Sequence, residues 1–180
     1  MESEVGVCRR VALRPWLETD AEVLFALAGD PVVGRLAGFP PHGDVEDSRR
    51  VIRDILAKQG ALAIVSREEN AVVGCVSALP VRRESSGLAA GEWEIGYWIG
   101  RRHWNRGFAT AAVSAFWRRC FAEPGFGCRR LFGRVREENA ASRRVLEKCG
   151  FKFQVKVKDC DVFTFEATSA SVKSGGSLWE

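Results

Sequence analysis

The sequence predicts one domain of the α/β (α+β) class, in which strands and amphipathic helices alternate. Its 180 residues suffice for a sizeable core, and contents of 46% apolar and 28% charged residues are typical of a folded globular protein. Residues 92–99 are rich in aromatic and β-branched side chains, as strands are. Over residues 107–120, apolar side chains recur at three- and four-residue spacings, which indicates one face of a helix.

The N-terminal part of the chain predicts one strand and two helices. Residues 11–16 favour a strand that ends at proline, and residues 19–22 form a capping box that begins a first helix. Proline and glycine interrupt residues 30–43, which we expect to be an exposed loop that could face a substrate. Asp44 is a suitable cap for a second helix, whose inner face lies within residues 51–56.

The middle of the chain predicts a hairpin and two further strands. Residues 61–65 and 71–81 favour the hairpin, with residues 67–70 as its turn. Residues 82–90 are expected to be a polar loop that leads into the aromatic strand. After the amphipathic helix, residues 131–135 have the alternation of another strand.

The last part of the chain predicts a short helix, a hairpin and a tail. Asn139 is placed to cap the helix, and Gly150 stands where a left-handed residue would end it. Residues 151–157 and 162–165 favour a final hairpin. Residues 167–180 are rich in serine and glycine and predict a flexible C-terminal tail.

The junction between the aromatic strand and the amphipathic helix has the features of an anion site. A basic turn over residues 101–106 is followed by Gly107, which lets a ligand approach the backbone, and by Ala109 in a narrow first helical turn. The first amides of a helix have no intrahelical acceptor, and the positive end of the helix dipole adds to their attraction for an anion. The alternative is an ordinary connection with a solvated basic loop.

Charge and hydropathy argue against nucleic-acid and membrane partners. The net charge is +4, from 27 basic and 23 acidic residues, which is too small an excess to indicate nucleic-acid binding. The N-terminus lacks the basic start and apolar run of a signal peptide, and no apolar run approaches the roughly 20 residues of a membrane span.

The cysteines and histidines predict neither disulfides nor a metal site. Six cysteines are scattered without a Cys-x-x-Cys pair. Cys75, Cys120 and Cys149 lie among apolar residues, which favours reduced thiols and a cytoplasmic location. The only histidines are His42 and His103, and no cluster of metal ligands surrounds either one in the sequence. We interpret His103, in the basic turn, as structural.

Four segments of the chain carry a resemblance to a known family. They are Leu13-Arg14-Pro15 ahead of the first helix, Glu94-Ile95-Gly96-Tyr97-Trp98-Ile99, Trp104-Asn105-Arg106-Gly107-Phe108-Ala109-Thr110, and residues 139–151 with the pattern Asn-x-x-Ser-x-x-Val-Leu-Glu-Lys-Cys-Gly-Phe. In this order they resemble landmarks of the GNAT superfamily of acetyl-CoA-dependent N-acetyltransferases, and most of all its RimJ/RimL-type branch. The likeness spans residues 10–166. It implies one GNAT domain over residues 1–166, with a mixed, mostly antiparallel sheet that splays beside its fourth strand and helices on both faces.

The resemblance implies that acetyl-CoA is the cosubstrate. Its pyrophosphate would rest on the backbone amides of residues 102–109, and its pantetheine would run beside residues 97–99 like an added strand. The implied cofactor-binding residues are Tyr97, Trp98, Ile99, Arg102, Asn105, Arg106, Gly107, Phe108, Ala109, Thr110 and Asn139. For each arginine the alternative is a solvated basic edge, and for Asn139 it is a helix cap alone. Trp104 stands where the family usually has glutamine or arginine.

The resemblance also implies direct transfer, in which an amine attacks the thioester and CoA leaves. Glu94 lies where several members of the family carry the base, and Glu92 shares its face of the strand. The alternative for both is a surface carboxylate. The family often protonates the thiolate with a tyrosine, and Tyr97 is the only one here. Ser142 matches the serine that serves as the acid in the RimL-type branch, and its alternative is a bond to its own helix backbone.

The acceptor is the least determined part of the expected function. A protein N-terminal amine is the first choice, and a small amine such as a polyamine or an aminoglycoside is the second. A third hypothesis is a non-catalytic sensor of the same fold that binds acyl-CoA. The final hairpin is shorter than in many relatives, which leaves the acceptor class open. We expect a monomer or a homodimer.

Overall fold

Seven strands form one mixed sheet in the described part of this computed structural model, which comprises residues 9–83 and 87–166. The strand order is β1-β2-β3-β4-β5-β7-β6, and only the β4–β5 pair is parallel. The tail expected over residues 167–180 lies outside the described residues. A mixed, mostly antiparallel sheet was implied by the resemblance and is confirmed.

The elements alternate along the chain as the sequence predicts, with differences that follow. In chain order they are β1 Val11–Pro15, α1 Ala21–Ala28, α2 Pro31–Ala37, α3 Val45–Val51, β2 Leu62–Ser66, β3 Ala71–Arg83, β4 Gly87–Ile99, α4 Phe108–Ala122, β5 Arg130–Arg136, α5 Ala140–Lys148, β6 Lys152–Val157 and β7 Cys160–Glu166.

The loop expected over residues 30–43 is wrong, because its first half is the helix α2. The carboxylate of Asp30 accepts a hydrogen bond from the Val32 N–H at 2.8 Å, and Pro31 occupies the first helical position. Gly38 follows the helix in the left-handed conformation, with φ of 83°. The residues that looked like chain breakers are the two caps of a short helix.

The polar loop expected over residues 82–90 is also wrong. The strands β3 and β4 continue into this segment and pair with each other there, Arg82 opposite Leu88 and Arg83 opposite Gly87. The aromatic strand therefore begins at Gly87 and not at residue 92. Pairing with a neighbouring strand supplies the backbone hydrogen bonds that the polar composition did not indicate.

The first helix begins without the expected capping box. The chain passes through a single 3₁₀ turn at Glu18–Asp20 before α1 starts at Ala21. The buried carboxylate of Asp20 accepts hydrogen bonds from Arg14 at 2.6 and 2.8 Å and from the Leu17 N–H at 2.9 Å. Asp20 thus links the beginning of α1 to the end of β1, and this contact takes the place of a cap at Thr19.

The predicted caps of the short helix α5 are confirmed. The side chain of Asn139 accepts a hydrogen bond from the Ser142 N–H at 3.0 Å. Gly150 adopts the expected left-handed conformation, with φ of 87°. The final hairpin is present, but its turn is shorter than the predicted strands imply: it lies at Lys158 and Asp159, and Cys160 and Asp161 already belong to β7.

The sheet splays between β4 and β5. These strands pair only over residues 92–94, opposite residues 130–132, whereas β4 stays paired with β3 as far as Ile99. Beyond Glu94 the edge of β4 that faces β5 has no strand partner among the described residues. The implied splay beside the fourth strand is therefore confirmed.

Helices cover both faces of the sheet. On one face α4 and α5 pack over a core that includes Phe116, Leu131 and Phe163, and on the other face α1 and α3 pack over β2 and β3. The burial of these apolar side chains is the main source of stability for the layers. No helix in the described residues has the length and apolar character to cross a membrane.

Candidate active site

The splay opens into a first cavity beside the beginning of α4 and the beginning of α5. Its volume is about 330 Å³, and it lies between β4, the turn that precedes α4, α5 and the helix α2. It is lined by most of the residues implied for cofactor binding: Tyr97, Trp98, Ile99, Asn105, Arg106, Gly107, Phe108, Ala109, Thr110 and Asn139. Ser142 also lines it, whereas Arg102 does not.

One end of this first cavity is formed by the beginning of α4. Gly107 precedes the helix with φ of 79°, and Asn105 has φ of 60°. A Cβ on Gly107 would meet nothing nearer than Arg10 Nη1 at 3.5 Å, so glycine is required here by the backbone angle and not by space. The first three amides of the helix have no intrahelical acceptor and face an anion that enters the cavity.

Three contacts fix the turn before α4. The indole N–H of Trp104 donates to the Ile99 carbonyl at 2.7 Å, which ties the turn to the end of β4. Arg106 forms an ion pair with Glu69 in the β2–β3 turn, and its guanidinium lies 4.9 Å from the centre of the Phe108 ring. Trp104, which stands where the family usually has another residue, therefore acts in positioning the turn.

The predicted basic residues of the turn are occupied by protein partners. Besides its pair with Glu69, Arg106 lies 3.8 Å from Glu68. Arg102 donates through Nε to Nε2 of the buried His103 at 2.9 Å. Burial lowers the pKa of His103, and the adjacent arginine lowers it further, so the ring is neutral near pH 7. These contacts agree with a structural interpretation of His103.

Sequence reasoning missed two groups of residues that line the first cavity. The helix α2 contributes Val33 and Leu36, which the expected loop concealed. The helix α5 contributes Arg144 and Lys148, which are one helical turn apart on an exposed surface. Their spacing of four residues was the available signal, since such residues share a helix face.

Tyr97 and Ser142 meet at the other end of the first cavity. Their hydroxyl oxygens are 2.8 Å apart, and the Tyr97 O–H also donates to the Ser142 carbonyl at 3.1 Å. Ser142 therefore bonds to a residue of β4 through its side chain, and not to its own helix backbone. Burial raises the pKa of Tyr97 well above its usual value, although the hydrogen bond from Ser142 acts in the opposite direction. The phenol is accordingly a neutral hydrogen-bond donor.

Glu94 lies in a second cavity, of about 590 Å³, on the other face of β4. Its carboxylate accepts two parallel hydrogen bonds from Arg134 of β5, at 2.8 and 2.7 Å. Glu92 lines the same cavity and accepts from Arg130 at 3.2 Å. Glu94 and Ser142, the two predicted catalytic residues, are therefore in separate cavities on opposite faces of β4, on either side of the splay.

The walls of the second cavity are otherwise mostly apolar. They are formed by Leu79, Pro80, Val81, Phe132 and Val162. In the described residues no group of three or more histidine, cysteine, aspartate or glutamate side chains could hold a metal ion.

Comparison with known proteins places this arrangement among acetyltransferases. A model of the acetyltransferase (GNAT) domain family matches residues 10–152. The chain is similar to N-acetyltransferase p20 of Bacillus licheniformis, with 30% identity over 158 residues that cover 83% of each chain. Its fold is similar to a GNAT-family acetyltransferase of Bacillus anthracis, with a TM-score of 0.76, 19% identity, and 89% of this chain and 97% of that one covered. RimJ of Mycobacterium smegmatis, solved with CoA-disulfide, gives a TM-score of 0.71 at 23% identity and covers 91% of this chain and 84% of its own.

The burial of Tyr97 predicts that its phenol ionises at a higher pH than an ordinary tyrosine. Tyr97 is the only tyrosine, so the ultraviolet absorbance of tyrosinate reports on it alone. Because burial raises its pKa, we expect the native protein to form no tyrosinate near pH ~10, where an ordinary tyrosine ionises. The stability that the neutral phenol contributes is fully present below that pH and is lost as the pH rises through the folded-state pKa.

The same titration in denaturant should return to the ordinary value and serves as the reference. Ser142→Ala removes the hydrogen bond that lowers the pKa of Tyr97, so the native titration should move further upward in that variant. Ionisation of native Tyr97 at the ordinary value would contradict its burial between β4 and α5.

Proposed function

This chain belongs to the GNAT acetyltransferase family, and we propose that it transfers the acetyl group of acetyl-CoA to the N-terminal amine of a protein or peptide. The observation that carries the cosubstrate part of the proposal is the glycine-capped beginning of α4, which lines a cavity at the point where β4 and β5 separate. One structural neighbour, RimJ, was solved with a CoA derivative, which supports acetyl-CoA as the ligand of this cavity.

The two ends of the first cavity fit two chemically different parts of acetyl-CoA. The free amides at residues 108–110 offer hydrogen bonds to the diphosphate. The pantetheine arm carries amides, which can pair with the open edge of β4 beyond Glu94 as an added strand would. The thioester then lies towards Tyr97 and Ser142, beside the splay.

The reaction joins groups from both faces of β4. The neutral amine nitrogen attacks the thioester carbonyl carbon, a C–N bond forms, and the C–S bond breaks as the sulfur takes the bonding electron pair. Glu94, in the second cavity, accepts the proton that the amine loses. Ser142, held in position by its bond to Tyr97, donates its hydroxyl proton to the leaving sulfur and takes a replacement proton from solvent, to which Glu94 releases the proton that it accepted. The products are an amide and CoA.

The charge of the second cavity favours an α-amine over a polycation. Of the described residues that line it, Glu92 and Glu94 are the carboxylates, and each is already hydrogen-bonded to an arginine. An aminoglycoside or a polyamine carries several ammonium groups that would need unpaired carboxylates. A peptide N-terminus has one amine of pKa ~8, so part of it is neutral near pH 7. The apolar walls suit an uncharged first side chain.

The buried thiols support a cytoplasmic location for this activity. Burial raises the pKa of Cys75 and of Cys120 to about 12 each, so both behave as small apolar side chains of the core and not as reactive thiolates. Side chains of this kind are suited to a reducing compartment.

An acceptor panel tests the proposed function. We expect CoA release from acetyl-CoA in the presence of short peptides with a free N-terminus and an uncharged first residue. Spermidine and kanamycin should react at least tenfold more slowly at equal concentration, because the second cavity offers them no unpaired carboxylate. The same peptide with an acetylated N-terminus is the matched control and should not react.

Two outcomes of this panel contradict the proposal. A preference for the polyamine or the aminoglycoside would show that the acceptor is a small polycation. Saturable binding of acetyl-CoA without release of CoA to any amine would favour the non-catalytic sensor.

Replacement of Glu94 tests its role as the base. Glu94→Gln should lower turnover by roughly 10² near pH 7 while binding of acetyl-CoA is retained. The loss should shrink as the pH rises above about 8, because free α-amine then forms without a base. The melting temperature should change little, since exposed ion pairs contribute only about 0–1 kcal/mol. Turnover across the pH range is the measurement.

Arg134→Gln is the matched control, because it breaks the same ion pair but keeps the carboxylate of Glu94. We expect this variant to retain most of the turnover. An equal loss in the two variants, or a loss in Glu94→Gln that does not depend on pH, would assign Glu94 a structural role and make Glu92 the next residue to replace.

Replacement of Ser142 tests its role as the acid. Ser142→Ala should lower turnover tenfold or more, because the thiolate then leaves without a proton donor. The loss should be smaller with an acetyl thioester whose thiol is more acidic, since that thiol leaves readily as the anion. Turnover is measured per folded molecule, because loss of the bond to Tyr97 also costs ~0.5–1.5 kcal/mol of stability.

Tyr97→Phe distinguishes the role of the Tyr97 hydroxyl from that of the Ser142 hydroxyl. If Ser142 is the acid and Tyr97 positions it, Tyr97→Phe should cost less than Ser142→Ala, and the double variant little more than Ser142→Ala alone. Full activity in Ser142→Ala together with a large loss in Tyr97→Phe would make the tyrosine the acid.

A further inference from the structure

We propose that Arg144 and Lys148 of α5 recognise the 3′-phosphate of coenzyme A. The inference rests on the proposed function, since it assigns part of the same ligand to a second surface of the first cavity. Both residues line that cavity, and nothing in the sequence analysis gave them a role. Their task would be to distinguish coenzyme A from the same molecule without its 3′-phosphate.

The position of α5 brings these residues to the phosphate end of the cavity. Near the start of the helix, Ser142 contacts Tyr97. At its end, the Sγ of Cys149 lies 3.6 Å from the Thr110 carbonyl and 3.4 Å from the Ser114 hydroxyl, both in the first half of α4. Six residues separate Ser142 from Lys148, which corresponds to ~9 Å along the helix axis. The helix thus runs from the sulfur end of the cavity to the anion end.

The charges of Arg144 and Lys148 are not neutralised by the protein. Within residues 9–83 and 87–166, neither side chain has a carboxylate within ion-pair distance, although many other basic residues do. The arginines of the turn before α4 contrast with them, because Arg106 is paired with Glu69. Two cations one helical turn apart repel each other, and a bound anion relieves that repulsion.

The 3′-phosphate is the group of coenzyme A that matches this pair. The diphosphate already has the free amides at the beginning of α4 as donors. A phosphate monoester carries a charge of about −1.5 to −2 near pH 7 and has three acceptor oxygens, so it can engage an arginine and a lysine together. Both side chains are long and exposed at the cavity rim, where they can reach a phosphate that stays partly in water.

The test compares two ligands in four proteins. Calorimetric titration with CoA and with 3′-dephospho-CoA is carried out on the wild type, on Lys148→Gln, on the Arg144→Gln/Lys148→Gln double variant and on Lys152→Gln. The last is the matched control, because it removes one exposed lysine of the following strand that does not line the cavity. Thermal melting without ligand checks that each variant is folded.

We expect the wild type to bind CoA at least tenfold more tightly than 3′-dephospho-CoA. The double variant should lose this preference, because its affinity for CoA falls about tenfold while its affinity for 3′-dephospho-CoA stays within about twofold. Lys148→Gln should be intermediate, and Lys152→Gln should behave as the wild type. The preference of the wild type should decrease with added salt, since the contact is exposed.

Two results would overturn the inference. An equal loss of affinity for both ligands would show that the cations serve the diphosphate or the fold. Unchanged affinities in the double variant would show that they contact no phosphate. A wild type that binds neither ligand would instead contradict the proposed function, so the two failures are distinguishable.

Discussion

The separation of β4 from β5 after Glu94 is the constraint on which the rest of this molecule depends. The two strands share only three residue pairs, while β4 remains paired with β3 as far as Ile99. The strand is therefore held firmly along one edge and open along the other. Open backbone groups inside a protein need partners, and an extended ligand can supply them. The two cavities lie on the two faces of β4 at this opening, and each predicted catalytic residue lines one of them.

Contacts within the protein fix the turn that forms one end of the first cavity. Trp104 ties the turn to the end of β4, and Glu69 of another turn holds Arg106. Gly107 supplies the left-handed angle at which the chain enters α4, and residues 107–110 line the cavity. Backbone donors held in this way need no reorganisation when an anion arrives, which lowers the cost of binding. Arg106, which the resemblance implies as a cofactor-binding residue, lines the cavity and is also paired with Glu69, whereas Arg144 and Lys148 of α5 have no carboxylate partner among the described residues.

Local signals determined what could be predicted from the sequence. Asn139 and Gly150 were placed correctly as caps, because capping depends on a few neighbouring residues. The loop predicted over residues 30–43 was wrong because proline and glycine stand at the two ends of a helix as well as in loops. The loop predicted over residues 82–90 was wrong because pairing between β3 and β4 stabilises strands there despite the polar composition. The same limit applied to the candidate site. The motif at residues 104–110 could be recognised in the sequence, but the residues that contact its side chains could not be, since they come from other elements.

Opposite placement of Glu94 and Tyr97 follows from the geometry of a strand. Glu94 and Tyr97 are three residues apart on β4, and neighbouring side chains point to opposite faces, so these two side chains leave the strand on opposite faces. One carboxylate therefore lies beside arginine in a partly open cavity, while the phenol lies buried against Ser142. This separation matches the roles proposed above, in which the Glu94 carboxylate accepts a proton and the Ser142 hydroxyl, held by Tyr97, donates one. In the proposed reaction the thioester carbonyl lies in the gap between β4 and β5, so a single splayed strand presents groups from both of its faces to one carbon and keeps the proposed proton acceptor and donor apart.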